Sequence, residues 1–247
     1  MSNKYSFGDT GSKRSIPFVG SFVQLIVIAI GLYLALSIQN WNKSKKESVL
    51  EQKYLTALLE EVKFNQTLIE EDQDFRLGQE KMFLKLMESR NRGVDRDTLD
   101  RALQLLTKQR AFLPNLAIRN DLLSSGHLSI IQSDSIRYRI LSDEQKRNRV
   151  ASAEMSERSY IENQLVDYLI TKKAYSLLSF EEDFNEIIIS ERDARLITNT
   201  LLRDPSFFDH LYARLTRLQA VISSAEPVLL NLSSLEGKLE EELRKVD

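Results

Sequence analysis

Between Pro17 and Ile38 the chain runs for 22 residues without a charge, and this stretch constrains the rest. At about 1.5 Å of rise per residue such a helix reaches about 33 Å, against about 30 Å for the hydrocarbon core of a bilayer, so it predicts one membrane crossing with slight tilt. A cleaved signal is the rival reading, because Lys13 and Arg14 precede the run and Ala35-Leu36-Ser37 has small-x-small spacing. The run exceeds the roughly 7–15 apolar residues of a signal's centre, which favours a retained anchor. Trp41 follows it, where an indole can rest in the interface with its N–H in water, and Lys13, Arg14 and Trp41 are read as the membrane-interface residues. Gly31 and Ala35 form a small-xxx-small pair of the kind that lets helices approach. The organisation predicted is a polar tail at 1–16, a transmembrane helix at 17–41 and an extramembrane helical domain at 42–247.

Some 200 residues remain for that domain, enough for a real core. Only 8 glycines and 4 prolines punctuate the whole chain, so long helices are expected and a turn-rich sandwich or barrel is not. The fold class expected is all-α: one N-terminal transmembrane helix continuing into an elongated multi-helix bundle. A net charge of −2 gives no general attraction to nucleic acid. The absence of cysteine removes disulfides, thiolate nucleophiles and cysteine-bound zinc.

The run Ile28-Ala29-Ile30-Gly31-Leu32-Tyr33-Leu34-Ala35-Leu36-Ser37-Ile38-Gln39-Asn40-Trp41-Asn42, followed by a charged helix, resembles the opening of a bacterial family of single-pass membrane proteins of unknown function. That family carries a pattern of the kind "IGILIALQINNWNE" there, from which this chain departs at Ser37 and Lys43. Leu122-Leu123-Ser124-Ser125-Gly126-His127-Leu128-Ser129-Ile130-Ile131 is similar to the family's internal "L-x-S-G-x-L-x-x-I" segment. The resemblance implies membrane attachment and architecture, and it implies no catalytic residue.

Past the membrane, Leu55, Leu58, Val62 and Ile69 keep a three-four spacing with Asn65 filling one step. Asn65, Asp72, Arg76 and Gln79 stand where a dry bundle would be apolar. Two readings follow: a solvated face, or a polar pocket for a ligand or partner helix. Asp97 is expected to cap a helix bearing Leu99, Leu103 and Leu106, forming a hairpin back toward the membrane. Pro114 permits another helix to start, and Gly126 is placed to end it in a left-handed conformation. Ser133 or Asp134 then caps a long helix to about Lys173, polar in its middle like the first. The two are expected to pack antiparallel, with Arg76 and Arg147 meeting Asp72 or Glu154. This defines the candidate polar inter-helix site Asn65, Asp72, Arg76, Arg147 and Glu154. Phe180 to Ile189 reads as a connector and Glu191 to Arg203 as a short helix stopped before Pro205. Leu211, Leu215, Leu218, Ile222, Ala225, Leu229 and Leu232 form the strongest repeat in the soluble part, and Pro227 predicts a kink or break near Ser223–Glu226.

Neither His127 nor His210 has a metal-ligand spacing, no Gly-x-Ser-x-Gly turn occurs, and the lone Gly8-Asp9-Thr10-Gly11 lacks a strand and helix around it. The carboxylate runs alternate with lysines and arginines as solvated helix faces do. No cofactor, metal site or catalytic residue is assigned. The function expected is that of a non-enzymatic membrane-anchored helical interaction or scaffold protein. The alternative is a ligand-sensing bundle acting through a separate partner protein. Its partners would be the lipid bilayer and a protein or a second copy, with a small-molecule ligand left open. Two basic residues before the membrane favour a cytoplasmic N-terminus, placing the domain outside the inner membrane, in the periplasm.

Overall fold

The computed structural model describes residues 18–88, 96–178 and 190–245. The tail at 1–16 with Lys13 and Arg14, the polar turn from Asn91 to Asp95 and the connector Phe180–Ile189 lie outside the described residues. The elements are all helical: α1 Phe18–Glu88, α2 Arg96–Leu106, α3 Ala117–Ser124, α4 Asp134–Tyr160, α5 Val166–Thr171, α6 Glu191–Arg203 and α7 Pro205–Arg244. Among the described residues there is no strand. The chain divides into two units, Met1–Leu50 and Glu51–Asp247.

In the first unit α1 is bare. Leu25, Leu32, Tyr33 and Trp41 are each more than 60% exposed, and the apolar window of this helix buries nothing. By length and composition it is long and apolar enough to cross a membrane. Lys45 Nζ lies 5.6 Å from the Trp41 ring centroid, within cation–π range, and Lys43 pairs with Glu47 at 3.8 Å.

The second unit is built on α1, α4 and α7. Lys63 meets Glu240, Gln66 meets Ser233 and Glu80 meets Gln219, so α7 runs antiparallel to α1. Asn231 meets Asp143 and His210 meets Tyr160, so α7 is antiparallel to α4 as well. It follows that α1 and α4 are parallel, which corrects the antiparallel expectation. The reason is that the return along α1 is made by another segment. After α2, residues 107–116 form an extended strap without regular structure, and Pro114 lies inside it rather than opening a helix. The strap and α3 descend along α1 in order: Lys108 beside Gln79, Arg110 beside Arg76, Asn115 beside Asn65, Ile118 beside Glu61 and Asp121 beside Tyr54.

Other boundaries follow local chemistry. Gly126 takes φ +75 after α3, a left-handed conformation open to a residue without Cβ. Ser190 caps α6, and Asp204 caps α7 with Pro205 in the first turn. Two expectations shift. Helix α2 starts at Arg96, so Asp97 is inside it. Helix α7 passes through Pro227 without a break. The segment after α4 continues as a π-helical turn, Ile161–Leu165, before α5.

Two apolar cores result. One gathers Phe83 and Leu86 with α2, Leu165 and Phe207 to Leu218. The other gathers Leu55 to Ile69 with Leu122, Ile136 to Val150 and Ala225 to Leu239. Along α1 and α4 the stretches between them are where Asp72, Arg76 and Gln79 and then Glu154 and Glu157 are found.

Candidate functional site

The most charged place in the molecule is also among its most buried. Arg76 and Arg214 are fully buried, Glu157 is 1% exposed, and Asp72 and Gln79 are buried beside them. From α1, the Arg76 guanidinium donates through Nε to Asp72 Oδ2 at 2.7 Å and through Nη1 to Glu157 Oε2 at 2.7 Å. Its Nη2 reaches the Arg110 carbonyl at 2.6 Å and Glu154 Oε1 at 3.1 Å. From α7, Arg214 pairs with the other oxygen of Glu157 and donates to the carbonyls of Leu106 and Lys108 at 3.2 and 3.1 Å. Glu157 of α4 therefore bridges two arginines. Two positive and three negative side chains share a space nearly closed to water, with Glu154 at its edge keeping 13% of its side chain exposed, and each charge relies on the others.

The remaining partners are backbone atoms of the strap and of the helix ends on either side of it. Gln79 Nε2 donates to the carbonyls of Leu105 and Lys108 at 3.0 and 2.9 Å. Glu154 Oε1 accepts from the Phe112 N–H at 2.9 Å. Asn65 and Asn115 make a two-way pair, Nδ2 to carbonyl at 2.6 Å and N–H to Oδ1 at 2.7 Å. Glu61 accepts the N–H groups of Ile118 and Arg119 at 2.6 and 3.2 Å and so caps the first turn of α3. An extended segment carries unpaired peptide groups, and burying them unpaired would cost about 1–3 kcal/mol each. The polar ladder of the helices supplies the partners that a neighbouring strand would supply in a sheet. Strap side chains point largely outward: Phe112 is buried, whereas Lys108, Arg110, Ala111 and Leu113 are exposed.

These surroundings shift the ladder's ionisation. Burial pushes the Glu154 carboxyl above its ordinary range, against the Phe112 N–H and Arg76, which pull it down. Burial likewise raises Glu61, opposed by the N–H groups of Ile118 and Arg119. Burial works against the charge of both arginines. At Arg76 it is outweighed by Asp72 and Glu157, so the pKa rises, whereas at Arg214 it prevails and the pKa falls.

Of the five residues named from sequence, Asn65, Asp72, Arg76 and Glu154 lie along this ladder. Arg147 bonds neither Asp72 nor Glu154: it pairs with Asp143 at 2.6 Å, and its charge acts on Glu61. Neither a solvated face nor an open pocket describes Asn65, Asp72 and Arg76, which are buried against the chain's own strap and against α4. Glu61, Glu157 and Arg214 were missed. Their signal was a charge next to, or in step with, an apolar repeat: Arg214 beside Leu211, Leu215 and Leu218, and Glu157 in line with Val150 and Ile161. The histidines each meet a tyrosine. Tyr54 donates to Asp121 at 2.7 Å and meets His127 Nδ1 at 2.7 Å. Tyr160 meets His210 Nδ1 at 2.7 Å, and burial lowers the pKa of His210. Among the described residues no group of three or more acidic or histidine side chains is placed to hold a metal ion. Arg76, Glu157 and Arg214 have no surface on which to meet a substrate, and what they can do is fix the strap and the register of three helices.

Residues 24–148, half of the chain, match the model of a family described as "Family of unknown function (DUF6090)". The chain belongs to that family. The matched stretch runs from the bare part of α1 through the strap into α4. No curated protein and no solved structure matches the chain.

Proposed function

We propose that this family member is a single-pass membrane protein whose helical unit works by protein contact rather than by catalysis, on the outer side of the inner membrane. The observation that carries the reading is the bare apolar length of α1, with Leu25, Leu32 and Leu36 all more than half exposed and Trp41 beside Lys45 at its end. Apolar surface left in water costs about 25 cal/mol per Å², so such a length calls for a cover, and a bilayer fits its span. The contact reading is supported by where the charges are: the buried cluster is used up in holding the strap. The ligand-sensing alternative has less support, because the polar seam it needs is occupied by residues 107–116.

The test uses the lack of native thiols. Single cysteines at Asn199 and Ser233, both exposed, are labelled in intact cells with an impermeant maleimide, after which the cells are broken and the membranes washed with carbonate. The reading expects the chain in the washed membranes and labelled before lysis. Labelling only after lysis would put the unit in the cytoplasm, and a chain released by carbonate would remove the anchor.

A further inference from the structure

Helix α4 is charged at 11 of its 27 positions, yet the line that faces solvent most directly carries no charge. Tyr138, Leu141, Gln145, Asn148, Ser152, Met155 and Ser159 succeed one another at alternating steps of three and four, and all seven are exposed. Tyr138 and Met155 are 72% and 71% exposed. Exposed helix lines are ordinarily where charges collect, and a seam of this spacing without charge is the pattern of a surface meant for another helix. At about 1.5 Å per residue it is about 32 Å long.

The flanks of the seam say which helix fits. Glu144 lies on one side and Arg149 on the other, five residues apart. When two copies of a seam pair in parallel, a residue on the first flank faces the residue five further along on the second flank of its partner. Glu144 thus meets Arg149 of a second copy, twice by symmetry. Arg149 is exposed and makes no ion pair among the described residues. Glu144 keeps 63% of its side chain open while touching Arg119 at 3.1 Å. The other flanking positions are Arg137, Ser142, Ala151, Ser156 and Arg158; at the same five-residue offset Arg137 faces Ser142 and Ala151 faces Ser156, and Arg158 lies at the end of the seam, so no like charges are brought together.

We infer that the α4 seam from Tyr138 to Ser159 is a docking surface for a second copy of this chain, paired in parallel with Glu144 against Arg149. The inference rests on the contact reading above and deepens it by naming the face and the partner. Sharing one membrane would raise the effective concentration of the copies, so a seam of modest area suffices.

The experiment uses the full chain in liposomes with single cysteines at Asn148, Ser152 or, as a control on α6, Asn199. Under mild oxidation Asn148→Cys and Ser152→Cys should form disulfide dimers about tenfold faster than Asn199→Cys, as a held pair does against chance encounter. Adding Leu141→Glu with Met155→Glu should abolish that gain while leaving the thermal melt of the unit unchanged, since both positions are exposed. Arg149→Glu should slow the cross-link and a further Glu144→Arg should restore it. Equal rates at all three cysteines would overturn the inference, as would a cross-link indifferent to the paired glutamates. Equal rates together with a stable complex with some other protein would overturn this seam and keep the contact reading. Equal rates with no protein complex at all would overturn both.

Discussion

Helix α1 is two helices in chemical terms. From Leu25 to Trp41 it holds its large apolar side chains outward, more than 40% exposed at every one, whereas from Glu61 to Gln79 it holds Glu61, Asn65, Asp72, Arg76 and Gln79 inward, each under 7%. The usual assignment of apolar to inside and charged to outside is inverted at both places. The difference teaches that burial follows available partners and not residue type alone. A guanidinium can be buried when three carboxylates and a carbonyl surround it, and a leucine can stay bare when its own chain supplies nothing to cover it.

The largest effect should come from removing the centre of the buried half. Arg76→Met leaves Asp72, Glu154 and Glu157 without their shared partner, and breaking buried pairs in this way costs about 3–5 kcal/mol. Urea denaturation measures it. A loss below 1 kcal/mol would mean that the cluster opens to water and that the contrast with the bare half is overstated. Next comes the bare half itself. Leu32→Arg should oppose membrane insertion by about 2.5–3.5 kcal/mol, read as the fraction of chain in carbonate-washed membranes, with the melt of the helical unit unmoved. Unchanged insertion would argue that this stretch is covered by protein. Smaller again is Asn65→Leu, which deprives the Asn115 N–H and carbonyl of their pair and should cost about 1–3 kcal/mol. Hydrogen exchange at Asn115 should quicken in that variant, and an unchanged rate would remove Asn65 from the group that holds the strap.

The two halves differed also in how far they could be read. The bare half is a matter of composition, so Pro17 to Ile38 declared itself. Local signals were equally plain: the Pro205 stop, the apolar repeat around Leu218 and the left-handed Gly126 each depend on neighbours within one turn. In the buried half, Asn65, Asp72, Arg76 and Gln79 were visible as polar residues out of place, but their partners were not. For Asn65, Gln79 and one arm of Arg76 those partners are peptide groups 26 to 50 residues away, and a backbone carbonyl leaves no mark in a sequence. The return along α1 reads from sequence only as far as the helix bearing Leu99, Leu103 and Leu106; with the strap that completes it unrecognised, the helix at 134 is set antiparallel to the first and the direction of α4 comes out reversed. The partners of Arg147 differ for the same reason, since a parallel α4 brings Glu154 and Glu157 to Arg76 and leaves Arg147 with Asp143 and with its charge acting on Glu61.

The smallest effect compares two carboxylates of like exposure, 13% and 14% of the side chain, that differ in their partners. Glu154 is held above its ordinary pKa, first by burial, so its folded form takes up a proton more readily than its unfolded form. Its contribution to stability is then greatest below the unfolded value near 4.5 and declines as pH rises through the raised folded value. Asp204, whose side chain is as covered as that of Glu154, is pulled down to about 2, first by Lys172 and then with help from the Ser206 N–H and Tyr168, against burial. Its contribution is present above the unfolded value of 3.8 and is lost as pH falls toward about 2. Glu154→Gln should therefore gain on the wild-type chain as pH is raised from 4.5, whereas the difference between Asp204→Asn and wild type should be flat there and shrink only in stronger acid. Paired urea titrations from pH 3 to 7 decide it. If Glu154→Gln instead loses ground as pH rises, the pull of Arg76 on Glu154 outweighs burial, and Glu154 behaves like Asp204.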